Sequence, residues 1–129
     1  MNLVIIESPY AGDIERNLAY VRAAMRDCLM RGESPFASHA LYTQPGVLRD
    51  EVREERALGI EAGYAWRDYG RMHTYFYVDL GWSLGMLEAK AHCEKMGLRW
   101  STRSIEGWAD DPDAWYATEL ARLKDRAPA

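Results

Sequence analysis

Positive charge is what this chain is short of. Sixteen Lys and Arg stand against 20 Asp and Glu over 129 residues, a formal net charge of −4. A surface without basic excess cannot displace the counterions of a phosphate backbone, so a nucleic acid polymer is not an expected partner. A small anion needs only a local pocket and stays open. Long apolar runs are also lacking: no stretch of 18 apolar residues occurs, and no membrane span or membrane partner is expected. The opening Met1-Asn2 carries no basic segment ahead of its short apolar run, which Glu7 and Pro9 interrupt. A secretory signal is therefore not expected, and a cytoplasmic location is. The two cysteines, Cys28 and Cys93, fall among apolar neighbours inside predicted helices and read as buried thiols. The three histidines, His39, His73 and His92, have no paired ligand spacing, so no metal is expected.

What is present suits one globular domain over 1–129. A hydrophobic fraction of 48% with 28% charged residues is enough to bury a core at this length without disulfides or metal. The organising stretch is Leu3-Val4-Ile5-Ile6-Glu7-Ser8-Pro9-Tyr10-Ala11-Gly12-Asp13. Its apolar, largely β-branched start predicts the first strand of a parallel sheet, buried on both faces. Pro9 and Gly12 make the turn that follows, and Asp13 can cap the next helix. That helix is predicted to Arg31, since Ile14, Leu18, Val21, Met25 and Cys28 recur every three or four residues and Gly32 stops the pattern.

Pro35-Phe36-Ala37-Ser38 reads as a second short strand, and 40–49 as a long ordered loop of the kind that carries function. A second helix is predicted over 50–69, its apolar surface made by Val52, Leu58, Ile60, Ala62, Ala65 and Trp66. Gly59 and Gly63 lie four apart inside it. Each costs about 1 kcal/mol relative to alanine, so a close backbone approach or a break is their expected reason. Met72 to Val78 predicts a third strand, Leu84 to Met96 a third helix capped by Ser83 and closed by Gly97, and Leu98 to Ser101 a fourth strand. Asp110-Asp111-Pro112 opens a last helix through Trp115, Leu120 and Leu123, with a frayed tail from Arg126. Four alternations of strand and helix predict an α/β fold with a parallel sheet and right-handed crossovers.

Three segments in fixed order carry a resemblance. Ser8-Pro9-Tyr10-Ala11-Gly12 with Asn17, then Pro35-Phe36-Ala37-Ser38-His39, then Asp79-Leu80-Gly81-Trp82-Ser83-Leu84-Gly85-Met86 are similar to an uncharacterised, often phage-encoded, domain family. That family looks like a relative of nucleoside 2-deoxyribosyltransferases and deoxynucleoside monophosphate N-glycosidases, over roughly positions 3 to 103. The resemblance implies a flavodoxin-like three-layer sandwich with a four- to five-stranded sheet in the order 2-1-3-4. It also implies a nucleoside or nucleotide ligand, no organic cofactor, and a homo-oligomer whose subunits complete each other's pockets.

Under that topology the strand ends at Ser8, Ser38 and Asp79 share one edge of the sheet, where open α/β proteins bind ligands. Ser8 and Gly12 are small enough to let a sugar or base approach the backbone. Tyr10 orients the base or covers the sheet edge; His39 contacts the ligand or satisfies a backbone carbonyl. Trp82 is the tryptophan expected to stack on a base, while the others serve core or subunit contacts. Ser83 and Gly85 at a helix start make a phosphate-binding corner, and Tyr42 and Gln44 lie on the loop that could close over it.

Breaking an N-glycosidic bond passes through an oxocarbenium-like state, which needs one carboxylate near the anomeric carbon and one acid for the departing base. Asp79 has the positional claim to bind the sugar or activate the base; its bland role is to cap the turn beside it. The resembled enzymes carry a nucleophilic Glu directly after a Gly-Met pair, whereas this chain reads Gly85-Met86-Leu87-Glu88. One residue rotates a helical side chain by about 100°, so Glu88 replaces that nucleophile only if the helix start is shifted. Glu61 and Glu7 are further carboxylates within reach of the edge. The rival expectation is a nucleotide sensor or scavenger that keeps the pocket and has lost the nucleophile.

Overall fold

A computed structural model describes residues 1–126, with side chains described through Arg122. Nine elements follow in chain order: β1 (Asn2–Glu7), α1 (Ile14–Met30), β2 (Glu33–Phe36), α2 (Ser38–Leu41), α3 (Arg53–Gly70), β3 (His73–Tyr77), α4 (Leu84–Met96), β4 (Trp100–Arg103) and α5 (Pro112–Arg126). The four strands form one sheet in the order β2-β1-β3-β4, and every pairing is parallel. Val4, Ile5 and Ile6 of β1 are at most 3% exposed because β1 lies inside the sheet with a helical layer on either face. Leu3, at the strand's start, is 61% exposed and departs from the expectation of burial throughout the run.

The side chains of Val4, Ile6 and Tyr77 pack against Tyr20, Val21, Ala24 and Cys28 of α1, with Ile105, Trp108 and Trp115 completing that layer. On the opposite face Phe76 packs with Met86 and Ala89 of α4 and Tyr64 of α3. The result is the flavodoxin-like three-layer α/β sandwich. No helix among the described residues is long and apolar enough to cross a membrane.

Local chemistry explains most boundaries. Asp13 accepts a hydrogen bond from the Arg16 backbone N–H and starts α1. Ser83 does the same for α4 through Met86 N, and Gly97, at φ 66°, closes that helix in the left-handed region. Asp111 accepts from Ala114 N and caps α5, with Pro112 in its first turn.

Three boundaries differ from the periodic reading. β2 comprises Glu33–Phe36, so Ser38 begins the short helix α2 within the segment expected to be strand and loop. The shift follows from Glu33, which is 9% exposed because Arg103 pairs with it at 2.6 and 2.8 Å. β4 begins at Trp100, two residues later than expected, since Leu98 N still closes the end of α4 by donating to Cys93 O at 2.8 Å. Helix α3 begins at Arg53, three residues later than expected, and its inward face is different. Leu58 and Trp66 are more than half exposed, whereas Gly63 and Arg67 are buried. The tail beyond Arg126 and the side chain of Leu123 lie outside the described residues.

The inward face of α3 is made by its glycines. A Cβ on Gly63 would sit 2.6 Å from Ser38 Oγ and 2.8 Å from Ser38 Cβ, and one on Gly59 would sit 3.2 Å from Leu48 Cδ1. The expected close approach is therefore between α3 and the α2 segment. It brings His39, at the foot of α2, against the end of β1.

Candidate functional site

β1 and β3 are neighbours in the sheet, yet their connections run to opposite sides, β1 outward to β2 and β3 outward to β4. A parallel sheet opens a crevice at the carboxyl end of such a pair. A cleft of about 350 Å³ opens at this end of β1, walled by the α2 segment, the N-terminal half of α3 and the start of α4. Its lining joins Glu7, Ser8 and Tyr10 from β1 and its turn, Ser38 and His39 from α2, Tyr42 and Thr43 beyond it, Gly59 and Tyr64 from α3, and Ser83, Gly85 and Glu88 from α4.

The β1 turn is held from within. Asn17, 7% exposed on α1, donates from Nδ2 to Tyr10 O at 2.8 Å and to Ala11 O at 3.0 Å. Those two bonds fix the backbone that presents Tyr10. Gly12 adopts φ 100°, a conformation an L side chain resists, so it serves the turn. It does not line the cleft, which corrects its expected place as a wall residue.

Ser8 Oγ and His39 Nε2 share a hydrogen bond of 2.7 Å at the joint between β1 and α2. Burial pushes the His39 pKa below its ordinary value, Glu7 opposes that shift, and Arg67 adds to it. The ring is therefore neutral near pH 7, with Nδ1 unpartnered among the described residues. Thr43 Oγ1 donates to His39 O at 2.7 Å and fastens the next turn to α2. Tyr42 is in the lining and accepts from Trp66 Nε1 at 3.1 Å. Gln44 turns back to donate to Ala40 O and does not line the cleft.

At the α4 start, the Ser83 hydroxyl accepts from Met86 N at 3.2 Å. The backbone N–H groups of Leu84 and Gly85 precede the first intrahelical bond and have no helical partner. A Cβ on Gly85 would meet only Ser83 Oγ, at 3.9 Å, so no neighbouring chain forbids a side chain there. Its missing side chain leaves open space within the cleft. Glu88 lies one turn further on, also in the lining.

Besides Gly12, two expected site residues stand elsewhere. Asp79 turns its carboxylate toward α1: Oδ2 accepts from Tyr20 OH at 2.6 Å and from Ile105 N at 2.9 Å, while Asp79 N donates to Tyr20 OH at 2.8 Å. Those bonds tie β3 to α1 and to the segment after β4, and Asp79 does not line the cleft. Trp82 packs its ring on Phe76 at 5.0 Å, 38% exposed, outside the same lining. Of the further carboxylates, Glu7 is on the cleft floor, and Glu61 borders a separate groove with Tyr64, Asp68 and His92.

The periodic reading missed Arg67 and Tyr64. Arg67 is 1% exposed, and its Nη2 donates to Glu7 Oε1. Its guanidinium lies 5.1 Å from the centre of the Tyr64 ring, which lines the cleft. The signal was present as a spacing of four, Gly59, Gly63 and Arg67, which puts all three on one helical face. Of the remaining lining carboxylates, Asp50 pairs with Arg56 at 3.5 Å and Glu55 with Arg49 at 2.6 Å, both near the outer rim. No His, Cys, Asp or Glu group among the described residues has the geometry to hold a metal ion.

A family model described as Domain of unknown function (DUF7768) matches residues 2–103. The chain belongs to that family. The DUF7768 segment runs from β1 through the last residue of β4, so every cleft residue falls within it and α5 falls outside. No curated protein and no solved structure matches the chain.

Proposed function

We propose that the cleft binds a nucleoside or a (deoxy)nucleoside monophosphate and that the protein acts on its N-glycosidic bond, by hydrolysis or by deoxyribosyl transfer. The observation that carries this reading is a convergence. Ser8, Tyr10, His39, Ser83, Gly85 and Glu88, drawn from three distant parts of the chain, line one cleft large enough for a sugar and its base. Tyr10 and Tyr42 offer aromatic rings to a base, and His39 and Ser8 offer neutral polar atoms to sugar hydroxyls. Ser83 and the free N–H groups at the α4 start suit a 5′ oxygen or phosphate.

In this reading the base departs with the electron pair of the C1′–N bond and takes a proton from the carboxyl of Glu88. Water then adds at C1′ and returns a proton to Glu88; in transfer, an acceptor base takes the place of water. The positive charge that develops on the sugar faces a carboxylate on the floor. Glu88 thus serves as acid and base, a role that does not require the nucleophile position of the resembled enzymes.

The test is incubation of purified protein with a panel of nucleosides and monophosphates, followed by chromatography for free base. Release of base that Glu88→Gln abolishes supports the reading. No release and no binding by calorimetry removes it. Binding without release favours the second reading, a nucleotide sensor or scavenger. The engagement of Asp79 by Tyr20 and Ile105 is what supports that alternative, since it takes one carboxylate away from the chemistry. A homo-oligomer belongs to the same proposal: Leu84, 79% exposed beside the cleft, is an apolar surface that a second copy would cover.

A further inference from the structure

We infer that Glu7 is the carboxylate that faces the developing positive charge of the sugar, that Arg67 is its positioning residue, and that the cleft prefers a cationic sugar to a neutral one. This rests on the N-glycosidic reading above and assigns a role that the resemblance did not supply. Among the described residues Arg67 is the largest fully buried side chain, and its Nε and Nη1 atoms are unpartnered. Taking a guanidinium out of water is costly, and an ion pair recovers that cost only in part. A guanidinium also cannot discharge itself by losing its proton. The pair is therefore weakly explained by stability, and it lies directly behind the cleft floor.

The geometry of the pair is directional. Arg67 takes Oε1 of Glu7 from behind, whereas Oε2 accepts no hydrogen bond from the described residues and remains accessible. The negative end of this buried dipole is thus the one that meets the cleft. Because Arg67 cannot lose its charge, it stays behind Glu7 as a fixed cation and holds that side chain in one orientation, the preorganised arrangement that stabilises a transient cation. Tyr64, its ring stacked on His92 at 4.2 Å, lies over the guanidinium and helps to hold that cation in place. Asp50 and Glu55 are engaged by Arg56 and Arg49 near the rim. Glu88 has no ion-pair partner among the described residues.

The experiment compares two ligands of one shape by calorimetry: a base-bearing pyrrolidine whose ring nitrogen is protonated, and its neutral tetrahydrofuran counterpart. The parent protein is expected to bind the cation about 10-fold or more tightly than the neutral isostere. Glu7→Gln should bring that ratio to about 1 while the neutral ligand still binds. Since Glu7→Gln leaves Arg67 buried without a counter-charge and so destabilises the fold, the pair is also removed together in Glu7→Gln/Arg67→Met, which should lose the preference equally. Equal affinity of the parent for the two ligands overturns the assignment, as does a preference that survives in the folded double variant. Binding of neither ligand, nor of any nucleoside, overturns the N-glycosidic reading itself.

Discussion

Replacing Asp79 separates a structural latch from a catalytic acid, because the two roles predict opposite changes in stability and binding. In Asp79→Ala the buried Tyr20 hydroxyl loses its acceptor at 2.6 Å and Ile105 N loses its acceptor at 2.9 Å. Hydrogen bonds to a charged acceptor contribute roughly 1.5 to 3 kcal/mol each, and Tyr20 is fully buried, so water cannot replace the carboxylate there without rearrangement. Ile105 is 4% exposed and anchors the segment leading to α5. The two losses together come to about 3 kcal/mol, allowing for partial relaxation. For a domain of this length that is a fall in Tm of about 10 °C. Asp79→Asn keeps one acceptor oxygen and should cost about 1 kcal/mol. The assay is thermal unfolding by circular dichroism beside calorimetry with whichever nucleoside the parent binds. Lowered Tm with parental ligand affinity in Asp79→Asn is the expected result. A parental Tm with lost binding or lost base release would refute the latch and return Asp79 to the site.

Three further outcomes follow from single contacts. Gly63→Ala places a Cβ within 2.8 Å of Ser38 and should cost about 1 to 3 kcal/mol, partly recovered by Ser38→Gly, as urea unfolding would measure. Gly85→Ala meets no neighbour closer than 3.9 Å and should hold or raise stability by up to about 1 kcal/mol while reducing ligand affinity; parental affinity would mean that the cleft is not used at the α4 start. His39 is held below its unfolded pKa by burial, so the unfolded chain binds the proton more readily. Stability should rise with pH across the interval from the depressed folded value up to about 6.5, and fall on acidification through it, a slope that His39→Gln flattens in denaturant titrations.

Much of the fold was legible because its signals are local. The β-branched run at Val4–Ile6, the caps at Asp13 and Ser83, the stop at Gly97 and the Asp111-Pro112 start each act within a few residues, and each element appeared where those residues placed it. The strand order 2-1-3-4 came from resemblance, since periodicity says nothing about which strands are neighbours. The boundaries that moved were decided by partners far away in sequence. Glu33 reads as a loop carboxylate until Arg103, 70 residues later, draws it into the sheet. The inward face of α3 was misread for a related reason: hydrophobic periodicity assumes that a helix buries aliphatic side chains, and α3 instead approaches through glycine and buries an arginine.

The site shows the same division more sharply. Position at a strand's carboxyl end predicts one shared edge for Ser8, Tyr10 and His39, and all three line the cleft. It could not say to which face of the sheet an end residue turns. Asp79 follows β3 at the same edge as Glu7 follows the apolar run of β1, yet Tyr20 and Ile105 hold one carboxylate toward α1, and Arg67 holds the other at the cleft floor. A carboxylate's sequence neighbours are nearly silent about this choice, because the deciding groups are a tyrosine 59 residues away in one case and an arginine 60 residues away in the other. The fold therefore sorts its two edge carboxylates by what stands behind them: the one backed by a phenol and an amide fastens layers together, and the one backed by a buried cation lines the cleft.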